Sequence, residues 1–217
     1  MVTSDVAGFV DLDGHALGTL APKDRILKTA SDLFYRFSIH SVGIDRIIAE
    51  SGVAKMTFYR HFPSKANLVA AYLRHKNAVW LDMLARSTDR PGLSPTERIL
   101  AIFDALGGSF KSPSFRGCPF MKGMAEFGPD ANSPDIQATI SAHFQGLRNF
   151  VESLIAPLAL SDPERTVIQI LSLIQGSIVM AQAATCPAVA EANREGARLL
   201  LQEPGSSTAH IAQATCK

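Results

Sequence analysis

Apolar residues along most of this chain recur at helical intervals, and no stretch alternates as a strand does. Ile26, Ala30, Leu33, Phe34 and Phe37 share one face and predict a first helix over 22–38, with Pro22 near its start, where a missing N–H costs nothing. A short helix over 45–51 follows, and Gly52 ends it as the left-handed residue beyond the last turn. A third helix, over 55–62, stops at Pro63. Ser64 caps a fourth, predicted to reach about Arg86 with Leu68, Tyr72, Val79 and Met83 on one face and a length of roughly 34 Å. Asp89, Arg90, Pro91 and Gly92 then break the pattern and mark the expected hinge between two domains.

Downstream, Ser94, Pro95, Thr96 and Glu97 form a capping-box sequence that opens a helix to about Ser112. A loop over 111–117 leads to a short helix over 118–127, and a second loop, over 128–132, follows. Ser133 and Pro134 open a helix to about Leu158. Asp162, Pro163 and Glu164 open another to about Thr185, and Pro187 starts a last one to about Gln202. The first twenty residues and the tail 204–217 carry no such pattern and are expected to be unordered. The predicted fold class is all-α.

The chain has 217 residues, of which 47% are hydrophobic and only 19% charged. That is enough for one large domain or two small ones, and the shortage of charge suggests apolar surface covered by a partner subunit. Cys118, Cys186 and Cys216 are too scattered for a disulfide framework or a zinc site, so a reducing, cytoplasmic location is expected. The N-terminus has no signal-peptide pattern. Residues 166–190 carry no charge, a span of 25. Gln169, Gln175 and Gln182, with Ser172 and Ser177, make this a bundle helix rather than a membrane span. The net charge of +1 hides an asymmetry: residues 22–76 hold ten Lys and Arg against four acids, a local +6, while both flanks are acidic. Such a block suggests a nucleic-acid module joined to something else.

The two short helices around Gly52, Val53 and Ala54 make a helix-turn-helix, with Val53 in the inside corner and Ile47, Phe58 and Phe62 packing the pair onto the first helix. This leaves Lys55, Met56, Thr57, Tyr59, Arg60 and His61 outward, a basic and aromatic face that a core does not explain. The run from Ile44 to Lys65, with Thr57, Phe58, Tyr59, His61, Phe62 and Lys65 at fixed spacing, resembles the DNA-binding domain of TetR-family transcriptional regulators. The resemblance implies a flexible arm at 1–21, a three-helix DNA-binding domain at 22–81, an effector-binding and dimerisation bundle at 82–203, and a flexible tail at 204–217. It also implies that the third helix enters the major groove. Lys55, Met56 and Thr57 then face bases or nearby backbone, Tyr59 and His61 contact phosphates, Lys65 supports them, and Arg46 and Arg60 add positive charge. Lys55 and Lys65 in first helical turns suit phosphate seats. Two departures stand out: Gly43 and Ala54 occupy helix-start positions where the family usually has Ser or Thr, and Ser41 is expected to supply part of the first cap. Met56 replaces a frequent glycine and either touches a thymine methyl or crowds a base.

In the second half, Phe103, Phe110, Cys118, Phe120, Met124, Phe127, His143, Phe144, Leu147 and Met180 are candidates either for an apolar effector cavity or for an ordinary bundle core. Cys118 is a structural or a redox-sensing thiol, and His143 a core histidine or a polar anchor. Ile168, Leu171, Gln175, Gly176, Val189, Ala192 and Leu200 lie at helical spacing on the last two long helices, which the resemblance makes the homodimer interface. The expected function is a homodimeric repressor, released from pseudo-palindromic double-stranded operator DNA by a small apolar ligand. The alternatives are an all-helical cytosolic enzyme using Cys118 or His143, and a DNA-binding regulator without an effector. No cofactor, metal, catalytic set or membrane partner is expected, since no P-loop, nucleophile triad, paired carboxylates or metal spacing occurs.

Overall fold

The computed structural model describes residues 17–128, 133–183 and 188–202. Among these the fold is all-α, with α1 (Pro22–Arg36), α2 (Ile44–Ser51), α3 (Lys55–His61), α4 (Lys65–Thr88), α5 (Pro95–Phe110), α6 (Pro119–Phe127), α7 (Pro134–Ile155), α8 (Pro163–Gln182) and α9 (Val189–Leu201). Short 3-10 turns lie at Leu17–Thr19 and Ala156–Leu158. Three caps act as expected: Ser64 accepts the Asn67 N–H, Ser94 and Glu97 complete a reciprocal capping box, and Asp162 accepts the Arg165 N–H.

The N-terminal unit is built on α1, whose buried face is Ile26, Thr29, Ala30, Leu33 and Phe34. Gly52 ends α2 with φ +63°, a left-handed value that L side chains rarely adopt, and so lets the chain reverse within three residues. Val53 is buried at that corner, and Ile47, Phe58 and Phe62 are buried beneath it. Fully burying each such side chain is worth about 1.5–3 kcal/mol, which holds α3 in place although neither α2 nor α3 has a side-chain N-cap. α4 carries the chain from this unit into the bundle as one helix of 24 residues, about 36 Å long. The expected division at 81/82 falls inside it. In the bundle α5 is central and packs against α4, α7, α8 and α9.

Several expectations are corrected. α1 stops at Arg36, and Phe37 is extended and 41% exposed, lying beneath the guanidinium groups of Arg36 and Arg46 instead of in the core. Val79 is half-buried while Trp80 is buried, because α4 is packed on more than one side. Ser41 does not cap α2: its hydroxyl closes a local turn with Ser38. Leu17–Thr19 is a 3-10 turn rather than unordered. The helix expected to reach Leu158 tightens to 3-10 after Ile155, next to Pro157, and α8 ends at Gln182. The expectations for 1–16, 129–132, 184–187 and 203–217, including Cys186, Pro187 and Cys216, lie outside the described residues. Among the described residues no helix is long and apolar enough to cross a membrane.

Candidate nucleic-acid interface

α3 buries Phe58 on its inner side, and residues 55, 56, 59 and 60 spread over the outward arc of the helix. Lys55, Met56, Tyr59 and Arg60 are all exposed there, and Met56 reaches 82%. A thioether so exposed gains nothing from its own chain. Tyr59 is held in place by an edge-on contact with Phe58, ring centres 5.3 Å apart. Thr57 and His61 are half-buried at the margin of this face. Lys55 opens α3 with its ammonium 4.0 Å from the carboxylate of Asp45 on α2.

Two of the expected contacts are engaged elsewhere. The Arg46 guanidinium lies 2.7 Å from Glu50 and over the Phe37 ring at 4.6 Å. Lys65, the first residue of α4, donates to the His40 carbonyl at 3.4 Å. Burial pulls the Lys65 ammonium below the usual lysine value, and the charge of Glu126 works against that shift.

Sequence reasoning missed what anchors the turn before α2. Glu126 on α6 accepts the backbone N–H groups of Ile39 at 3.0 Å and His40 at 2.7 Å. Tyr35 on α1 donates its hydroxyl to the Gly117 carbonyl at 3.0 Å, and the same oxygen accepts the Arg116 N–H at 2.9 Å. Burial raises the Tyr35 pKa, partly offset by that Arg116 contact. These partners are more than 80 positions apart, and local periodicity carries no signal for them.

The C-terminal candidates divide. Phe103, Cys118, Phe120, His143 and Leu147 are buried core residues, whereas Met124 and Met180 are about half exposed, so they do not line an enclosed cavity within one chain. Phe110, Phe127 and Phe144 are half-buried. A cleft of about 400 Å³ beside the α7–α8 turn and one of about 260 Å³ between α4 and α7 are lined by none of the ten. Burial pushes the Cys118 thiol up to about 11, against smaller opposing effects of the Met121 and Phe120 N–H groups and Lys122. It is therefore not the low-pKa sensor considered above. For the dimer, Val189 is buried in its own chain and unavailable, while Ile168 is exposed and Ala192 lies outward. Leu171, Gln175, Gly176 and Leu200 are half-buried.

His143 stacks flat on Phe120 with ring centres 3.5 Å apart, and its Nδ1 lies 2.8 Å from Asn77 Oδ1. A carboxamide oxygen only accepts, so Nδ1 carries the proton. Burial pulls this histidine from 6.5 down to about 4. The unfolded chain therefore takes up a proton as pH falls through about 6.5, and the folded chain does not until about 4. Stability should thus drop by about 2 kcal/mol between pH 7 and pH 5. Urea titrations at the two pH values should show a smaller drop for His143→Gln, and an equal drop in both proteins would refute the assignment.

Comparison with known proteins agrees with this geometry. Residues 26–72 match the family model described as bacterial regulatory proteins, tetR family. A solved TetR-family transcriptional regulator from Streptomyces coelicolor, SCO4454, is 30% identical, with 83% of this chain and 94% of that chain covered and a TM-score of 0.75. The chain belongs to the TetR family of transcriptional regulators. Two curated relatives share shorter stretches with this TetR-family chain. The HTH-type transcriptional activator FasR of Mycolicibacterium smegmatis is 35% identical over 65 residues, 28% of this chain and 30% of FasR. The regulator YxaF of Bacillus subtilis is 28% identical over 99 residues, 45% of this chain and 51% of YxaF. The chain thus spans less than a third of the length of FasR and about half of that of YxaF. All three likenesses are to regulators of transcription.

Proposed function

We propose that this chain is a homodimeric cytoplasmic repressor that places α3 of each subunit in successive major grooves of a pseudo-palindromic operator and leaves it when a small, largely apolar molecule enters the C-terminal bundle. The DNA-binding unit is taken as 22–81 and the effector and dimer unit as 82–203. The observation that carries this is the outward face of α3, where Lys55, Met56, Tyr59 and Arg60 stand exposed on a helix otherwise locked by its core. Two such helices related by a two-fold axis reach one side of the duplex when about 34–36 Å apart. Lys55 and Met56 read base edges, Tyr59, Arg60 and His61 meet phosphates, and Lys65 and Arg46 brace the unit. The enzyme alternative is weakened because its two candidate groups are a buried thiol of raised pKa and a buried neutral imidazole. The likeness to the activator FasR is confined to 65 residues, so the direction of regulation rests on a promoter-reporter assay, where repression is expected.

The test of DNA reading is a band-shift and salt titration with the selected operator. Affinity should fall with salt at about −0.9 per phosphate contact in log–log slope, and Lys65→Ala should weaken all sequences alike. Lys55→Ala should lower affinity and change the preferred sequence. Unchanged affinity and preference for Lys55→Ala would overturn the assignment of α3.

A further inference from the structure

Asp45 is an acid placed in the middle of a basic face. It is the second residue of α2, its side chain is 93% exposed, and its carboxylate makes no hydrogen bond among the described residues. It does not cap α2, whose start has no side-chain cap. The other charges of α2, Arg46 and Glu50, are bound to each other at 2.7 Å. Asp45 is instead 4.0 Å from the ammonium of Lys55, the residue that opens α3, itself 68% exposed. An ion pair exposed at both ends adds little to stability. Beside phosphates, a free carboxylate also opposes binding. In the first turn of α2 the carboxylate is favoured by the helix dipole, but any acid in that turn would be, and the dipole does not account for its place beside Lys55.

Sequence discrimination does. In the major groove a G·C pair presents guanine N7 and O6 as acceptors beside cytosine N4–H₂ as a donor, and carboxylates characteristically accept from that amine. An ammonium and a carboxylate held side by side complement that edge. An A·T pair offers the ammonium a single adjacent acceptor, adenine N7 beside the N6–H₂ donor, in place of guanine's two, which makes it the weaker partner for this pair of charges. We propose that Asp45 is a specificity-determining residue: together with Lys55 it reads a G·C pair in each operator half-site, Asp45 accepting from cytosine N4 while Lys55 donates to guanine.

This rests on α3 being the recognition helix, and the experiment separates the two. Duplexes with randomised half-sites are selected with the full-length wild type, Asp45→Ala, Asp45→Asn and Lys55→Ala. Retained thermal stability is checked first, and is expected because Asp45 is exposed. The wild type should select one fixed G·C pair per half-site. Asp45→Ala should lose about 10-fold of the discrimination at that pair alone, by binding it less tightly and its substitutes more tightly. Asp45→Asn, which offers both a donor and an acceptor, should also relax that position, and Lys55→Ala should disturb the same one. If Asp45→Ala binds every sequence more tightly with its preference intact, the carboxylate merely repels phosphate and the inference falls alone. If Lys55→Ala leaves the wild-type preference intact as well, the recognition-helix assignment falls with it.

Discussion

A Gly176→Arg protein is expected to sediment as a monomer and to lose specific operator binding by about 100-fold or more. Gly176 is half-buried on α8, and a Cβ added there would meet no atom of its own chain within 4 Å. Arginine is also the better helix former, so the subunit fold should survive the change. The surface around it is short of charge and rich in exposed apolar side chains: Ile168 at 50%, Val179 at 45% and Met180 at 44% on α8, and Leu199 at 62% on α9. Gln175 Oε1 beside it is buried with no hydrogen-bond partner among the described residues. A two-fold interface shows each substitution twice, and burying a charge without a partner costs about 3–5 kcal/mol. A lone subunit then holds one half-site and forfeits the mM-scale effective concentration that a linked second site supplies. Sedimentation and band-shift titration read the two effects separately. A Gly176→Arg protein that remains dimeric would exclude this face.

The parts of this molecule that were legible in its sequence are those governed by local rules. Helix starts were marked by Ser64, by the Ser94–Glu97 box and by Asp162, since a cap acts within four residues. The helix-turn-helix was legible because Gly52 must be left-handed and because the spacing of Ile47, Phe58 and Phe62 defines what remains outward. Phe37 misled because it continues the apolar rhythm of α1, yet the helix ends one residue earlier and two arginines cover the ring. Val79 and Trp80 misled because α4 is packed on more than one side, and a helix covered that way has no single apolar stripe to read. Core and exposed residues such as Phe103 and Met124 look alike in sequence, since both are apolar at helical spacing. Asp45 and Glu126 were invisible as functional positions, because what singles them out is proximity: to Lys55 in one case, to the turn at Ile39 and His40 in the other.

Glu126→Ala should weaken operator binding about 30-fold and cut the influence of an inducing ligand on what remains. α4 is the obvious lever from bundle to α3, but α6 provides a second route. The Glu126 carboxylate holds the turn before α2 by two backbone N–H groups, lies 3.4 Å from His40 Nδ1, and is itself only 16% exposed. Lys65 grips the same turn through the His40 carbonyl. At the other end of α6, Gly117 has φ +84°, and a Cβ there would lie 1.8 Å from Gln182 Oε1 at the end of α8. Glycine therefore lets the end of α8 touch the loop that binds Tyr35 of α1. Hydrogen bonds to a charged acceptor are worth about 1.5–3 kcal/mol each, and partial solvation after their loss leaves roughly 2 kcal/mol in positioning the turn, the 30-fold stated. By linkage, a ligand that shifts α6 and lowers operator affinity must bind operator-bound protein less tightly by the same factor. For an inducing compound found by thermal shift, affinity should differ between free and operator-bound wild type, and the difference should shrink in Glu126→Ala while the affinity for free protein is kept. An undiminished difference, with full operator affinity, would return the whole of the coupling to α4.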